Sequence, residues 1–149
     1  MSYIQTPQQV RSIGLGILAT KATGTLTNAT TGLFAIAGGL VAVTSIVGRV
    51  TTAITVANTY KLQHHPTAGS TKDLCTAADI GTVDTILGEV FVLTGLASDA
   101  IAVGSKGTKA PFIILETGTI EQVSSGTDGA ITWYVTWAPI DDAATLVAL

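Results

Sequence analysis

Residues 130–137 alternate strictly between two kinds of position. Ile131, Trp133, Val135 and Trp137 fall on one phase, and Ala130, Thr132, Tyr134 and Thr136 on the other. A period of two marks a strand, because successive side chains point to opposite faces. Helical periodicity would group the tryptophans with Ala130 and scatter the valine and isoleucine. The turn signal Thr127-Asp128-Gly129 precedes this run and Pro139 follows it. The pattern predicts a strand with both tryptophans on its inward side.

Similar signals run through most of the chain. "GTLTN" and "GLFAIAGG" are short runs between Gly or Asn turns, and "LVAVTSIVGRV" (40–50) is apolar on both phases, which predicts a strand buried on both sides. "AITVANTYKLQ" (53–63) places Ile54, Val56, Tyr60 and Leu62 on one face, with Asn58 the exception, and Ala53, Thr55, Thr59 and Lys61 on the other. Pro66 and Gly69 close it with a turn. "DLCTAADI" fits either one helical turn or an edge strand. Residues 86–95 and 99–105 predict two more strands, the second followed by the turn "KGTKAP". "FIILETG", "TIEQVSS" and "ATLVAL" complete the set. Short strands at this spacing, with Gly-rich turns, indicate an all-β fold, an antiparallel β-sandwich or barrel, over residues 23–149. No repeat of fixed period is present, which argues against a solenoid.

Residues 1–22 read as an extended N-terminal arm. Thr6-Pro7-Gln8-Gln9 supplies an N-cap, a proline at the first helical position and a capping-box glutamine. A short helix through about Ser12 is expected, ended by Gly14 and Gly16. The arm is too short to hold a core, so it is frayed or pinned by a partner. Its Tyr3, Ile4, Pro7, Val10, Arg11 and Ile13 are candidate interface residues, together with Trp133 and Trp137.

Composition sharpens the interface reading. Only 11% of the 149 residues are charged, with a net charge of −3 and a pI near 5.1, against about 25% charged in an ordinary soluble domain. A chain with so few charges has difficulty solvating its surface and favours burial against copies or a partner. The seven basic residues are scattered: Arg11, Lys21, Arg49, Lys61, Lys72, Lys106 and Lys109. They form no stripe that could neutralise a run of phosphates, which disfavours nucleic acid. "MSYIQTPQQVRSIG" does not read as a signal peptide. Residues 22–48 carry no charge and are long enough to span a bilayer. Their Thr-rich start, Gly38-Gly39 and β-branched content favour strands instead.

Candidate chemistry is sparse. His64, His65, Cys75 and Asp79 are the one cluster that suggests a metal, but adjacent histidines on a strand point to opposite faces. Asp73, Asp79 and Asp84 do not follow a calcium-loop pattern. Gly14-x-Gly16 lacks the strand and third glycine of a dinucleotide loop, and no Gly-x-Ser-x-Gly elbow exists. The expectation is no enzyme activity, no metal and no cofactor. Cys75, the single cysteine, leaves no internal disulfide. Trp133 and Trp137 could stack a glycan, or serve as core or subunit interface, each burying on the order of 200 Å2. In a chain with 5% aromatics, core or interface is the stronger expectation.

Three segments carry a family resemblance: "LFAIAGGLVAVTSIVGRVTTAI", "NTYKLQHHPTAGSTKDLCTAADI" and "GTIEQVSSGTDGAITWYVTWAPIDDAATLVA". They resemble small virion structural proteins of tailed bacteriophages, similar to capsid decoration, or cement, proteins. The most specific parts are Asp73-Leu74-Cys75 and the stretch from Gly129 through Trp133 to Pro139. Trp137 stands where that group often has Tyr, and Asp142 where it often has Gly. The arm is not covered. The resemblance implies a homotrimer on the outer capsid surface that braces subunits of the major capsid protein, without nucleic acid or membrane as partner. A head fibre or tail component, or a glycan-binding head protein using Trp133 and Trp137, remains the alternative.

Overall fold

The computed structural model describes residues 6–83, 85–92 and 113–149. The predicted capping box forms: the Thr6 side chain accepts from the Gln9 backbone N–H, and the Gln9 side chain accepts from the Thr6 N–H. The helix it starts, α1 (Pro7–Leu15), ends at Gly16 with φ +98°. A Cβ on Gly16 would lie 2.5 Å from the Trp137 carbonyl oxygen, so both backbone angle and close approach require glycine.

The rest is β. Strand β1 (Ile17–Ala22) follows Gly16 directly; then come β2 (Ala29–Ala37), β3 (Val41–Thr52), β4 (Thr59–Pro66), β5 (Lys72–Asp73) and β6 (Ala78–Asp79). The later strands are β7 (Val90–Val92), β8 (Ile113–Leu115), β9 (Gly118–Ser124), β10 (Ala130–Pro139) and β11 (Thr145–Ala148). Among the described residues they form two antiparallel sheets. The first runs β1-β10-β3-β7, with β8 beside β7 on the same edge of β3. The second runs β11-β2-β9-β4-β5, with β6 also on β4. The two pack face to face as a sandwich, which resolves the choice between sandwich and barrel.

Residues 22–48, the uncharged stretch, become β2 and β3, and no helix of the described residues is long and apolar enough to cross a membrane. The two strands lie in different sheets, and Gly38 and Gly39, both at positive φ, carry the chain across between them. A Cβ on Gly38 would sit 2.1 Å from the Ala143 carbonyl oxygen.

The core lies between the sheets. Ile131, Trp133, Val135 and Trp137 of β10 all point into it, as their alternation predicts. From the second sheet come Phe34, Ile36, Tyr60, Leu62, Ile120 and Leu146. Trp133 stacks on Tyr60 across the interface, with ring centroids 6.0 Å apart and planes 11° from parallel. Such a pair contributes about 0.5–1.5 kcal/mol beyond its area. Room for the Trp133 ring comes from Gly48, its partner on β3: a Cβ there would meet the ring at 2.8 Å.

Four expectations need correction. Residues 17–22 belong to the sheet rather than the arm: β1 pairs with β10 from Ile17↔Trp137 to Ala22↔Thr132, so the free segment ends at Gly16. Strand β3 is buried on one side only, with Thr44, Ser45 and Arg49 exposed. The strand expected from residue 53 starts at Thr59, because polar side chains capture the backbone before it. The Asp128 carboxylate accepts from Thr55 N at 2.8 Å and Thr55 Oγ1 at 2.9 Å. The Asp79 carboxylate accepts from Asn58 N at 3.2 Å, and the buried Asn58 side chain in turn accepts through Oδ1 from Ser124 Oγ, Ser125 N and Gly126 N at 3.0–3.1 Å. Val56 is consequently exposed. The two-way expectation for "DLCTAADI" resolves as the two-residue edge strands β5 and β6. The predicted strand at 86–95 begins only at Val90, and that at 99–105, with its turn, lies outside the described residues.

Candidate interaction surfaces

The sequence-predicted interface residues separate into two groups. Pro7, Val10, Arg11 and Ile13 all lie on α1, which buries none of its residues. Val10 is 55% exposed and Ile13 73%. Tyr3 and Ile4 lie outside the described residues. Trp133 and Trp137, by contrast, are 3% and 5% exposed and sit inside the subunit's own core. They present no platform to a glycan and no surface to a neighbouring copy. Alternation had placed them inward; the depth of the opposing sheet decides that they are covered within one chain.

Polar groups near the tryptophans serve the core. The Trp133 indole donates from Nε1 to Tyr60 Oη at 3.0 Å, and Tyr60 Oη donates to Gln122 Oε1 at 2.7 Å. This chain links the two sheets and satisfies three buried groups. Burial pushes the Tyr60 hydroxyl far above its ordinary pKa, with the Trp133 hydrogen bond opposing.

The residues weighed for metal binding are divided by the strand. His64 points inward and contacts the Glu116 carbonyl oxygen through Nε2 at 3.0 Å, while His65 points outward, its Nδ1 3.4 Å from Glu121. Burial pushes the His64 pKa down. Cys75 packs against β4, its sulfur accepting from Leu62 N at 3.2 Å, and burial pushes its thiol pKa up. The Asp79 carboxylate is occupied by donors from Asn58, Gly81 and Thr82, foremost the Thr82 hydroxyl, and these hold its pKa well below the usual carboxylate range. Among the described residues no group of three or more such ligands converges.

The outward faces of the two sheets differ in kind. On the second sheet, Lys61 pairs with Asp73 at 2.6 Å, and Gln63 donates to Glu121 at 2.7 Å. The register sets these groups side by side: Lys61 opposite Val123, Gln63 opposite Glu121 and His65 opposite Thr119. The β4–β9 half of this face is polar, while toward β11 it carries Val147, 55% exposed, opposite Ala35.

On the first sheet, four outward rows cross the strands. Ala22, Thr132, Arg49 and Val90 form one, and Thr20, Tyr134, Val47 and Val92 the next. Leu18, Thr136 and Ser45 make the third, and Ala138, Ala42 and Ile114 the last. Arg49 is the single charged residue among them. Leu18, Val90, Val92 and Ile114 are 39–57% exposed. A contiguous face this poor in charge is a candidate interaction surface. The sequence reading did not identify it. The signal was present as the second phase of β10 and β3, Thr, Ala, Val and Tyr without charge, but only the pairing assembles it into one face.

α1 joins this face at its edge. Leu15 connects to β1 through Gly16 alone, and the Thr44 hydroxyl donates to the Leu15 carbonyl oxygen at 2.8 Å while lying 2.7 Å from the Thr136 hydroxyl. Thr44 is the extra residue where the β10–β3 register shifts between Thr136 and Trp137, so a bulge holds the base of the helix. No family model, curated protein or solved structure matches the chain.

Proposed function

We propose that this chain is a non-catalytic structural protein of a virion, a decoration protein that sits as a homotrimer on the outer surface of a phage head and braces major capsid protein subunits. The observation that carries the reading is the apolar surface left outward, on the first sheet's outer face and on Val10, Ile13 and Leu15 of α1. Surface of this kind is stabilised by burial against other subunits. Binding only to the assembled head shifts the head's stability by mass action. The resemblance of the Asp73-Leu74-Cys75 and Gly129-to-Pro139 segments to phage decoration proteins supplies the identity of the assembly.

Undecorated heads of the phage that carries this gene supply the test. The purified protein should co-sediment with them saturably and raise the temperature at which they release DNA or break. Protein that stays in the supernatant, or binds without effect on head stability, sinks the reading. Labelling on fibres or tails instead of heads would assign it to those structures.

A further inference from the structure

The first sheet's outer face and helix α1 are two charge-poor surfaces of one chain, and among the described residues neither is covered by the other. We propose that they meet between copies: the outer face receives α1 and the adjoining body of a second copy of this chain, head to tail. The proposal rests on the self-associating part of the function proposed above and names the surfaces that carry it.

Three observations select a second copy as the occupant. First, α1 is well capped but nine residues long and buries nothing. Helices shorter than about 12 residues are marginal in water without tertiary packing, so its apolar side needs a surface from elsewhere. Among the described residues its own subunit does not supply one, and Gly16, pressed on the Trp137 carbonyl, and the Thr44–Leu15 hydrogen bond hold the base of the helix.

Second, the sizes fit a folded partner rather than a free helix. Four strand positions abreast and a ten-residue β10 make a face of roughly 20 by 30 Å, on the order of 600 Å2, from ordinary strand spacing and rise. That approaches the ~800 Å2 per partner of a stable interface. A nine-residue helix covers only about 14 by 10 Å, so the body that carries the helix must follow it onto the face.

Third, charge decides against nucleic acid and anionic surfaces. The face carries Arg49 alone, in its outermost row, and α1 carries Arg11 alone. A nucleic acid or an anionic surface would meet no basic patch here. Two nearly neutral surfaces of the same chain meet without a field of like charge to oppose them. A contact between different patches is heterologous, and when its rotation closes it gives a ring.

Complementation tests this directly. L18E/V92E places two carboxylates on opposite edges of the face, and I13E places one on the helix; all three positions are solvent-exposed in the subunit. Light scattering on wild-type protein should give a multiple of 15.1 kDa, and each variant alone should fall to 15.1 kDa. An equimolar mixture should form a one-to-one heterodimer, because the face of I13E and the helix of L18E/V92E are both intact. A monomeric wild type, variants that keep the wild-type mass, or a mixture that stays monomeric overturns the proposal.

Hydroxyl-radical footprinting of the wild type needs no variant. Leu18, Tyr134 and Val92 should be protected at high protein concentration and not on dilution below dissociation; unchanged labelling overturns the proposal. Loss of head binding by an assembled ring would sink the decoration reading and leave this contact standing. Binding of monomers to heads would do the reverse.

Discussion

On β9, Glu121 faces solvent between Gln63 and His65, and Lys61 and Asp73 pair one position away. On β10, the outward positions are Thr132, Tyr134 and Thr136, and the neighbouring strands add Val47, Thr20 and Leu18. Each of the two strands is paired on both sides within its sheet. Inside, β10 presents Ile131, Trp133, Val135 and Trp137 to the core, and β9 presents Ile120 with the buried polar Gln122 and Ser124. Among the described residues, Lys61, Asp73 and Glu121 lie on the β4–β9 face, while Arg49 is the single charged residue in the outward rows of the first sheet. A composition-wide shortage would have thinned both.

The largest expected effect strikes what the sheets share. Trp133→Ala removes the ring that spans them and should lower unfolding free energy by about 3–5 kcal/mol, read as a shifted urea midpoint. Both sheets should be lost in one transition. A surviving partial structure in the charged sheet would show that the two are separable and break the comparison.

Tyr60→Phe keeps the stacked ring and deletes the hydroxyl that joins Trp133 to Gln122. Leaving those buried groups unpaired should destabilise by about 1–3 kcal/mol. A negligible change in midpoint would show that stacking alone couples the sheets.

The charged sheet also carries the acid sensitivity. Burial depresses the folded-state pKa of His64 below its ordinary 6.5, so the unfolded chain binds the proton first. The contribution of neutral His64 is complete above about pH 6.5 and is lost as pH falls below that value toward the folded pKa. Thermal melts between pH 7.5 and 5 should show a decline that His64→Gln flattens. Equal slopes for the two proteins would contradict this assignment.

The smallest effect sharpens the outer contrast. Lys61→Ala removes a half-exposed ion pair and should change stability by only about 0.2–1 kcal/mol, less at high salt. Self-association should be unaffected, since the pair lies on the opposite outer face. A change of oligomer mass in Lys61→Ala would place the contact on the wrong sheet.

Much of the fold was legible because alternation and caps are local. Thr6 and Gln9 announce the helix start, and the Trp133–Trp137 alternation gives both strand and inward direction. What was hidden depends on distant partners. Ile54 and Val56 fit a strand, yet the Asp128 carboxylate takes the Thr55 and Val56 N–H groups and Asp79 takes that of Asn58, an event settled by residues far along the chain. Ile17–Ala22 looked like arm because its stability comes from β10, at the far end of the chain. The candidate surface was hidden for the same reason: Leu18, Tyr134 and Val92 are unremarkable apart and become one patch only through the register.

Gly48 and Trp133 make one choice written at two positions. A side chain on β3 at that point and a full indole on β10 exclude each other, because a Cβ would already intrude on the ring at 2.8 Å. Drift at either site is therefore conditional on the other. Alanine at 48 becomes tolerable only after the tryptophan has shrunk, and the route back to tryptophan closes once alanine is in place. Relatives that differ at one of these sites should differ at both. A library built on this scaffold would recover more folded members by varying the two codons as a pair than by varying either alone.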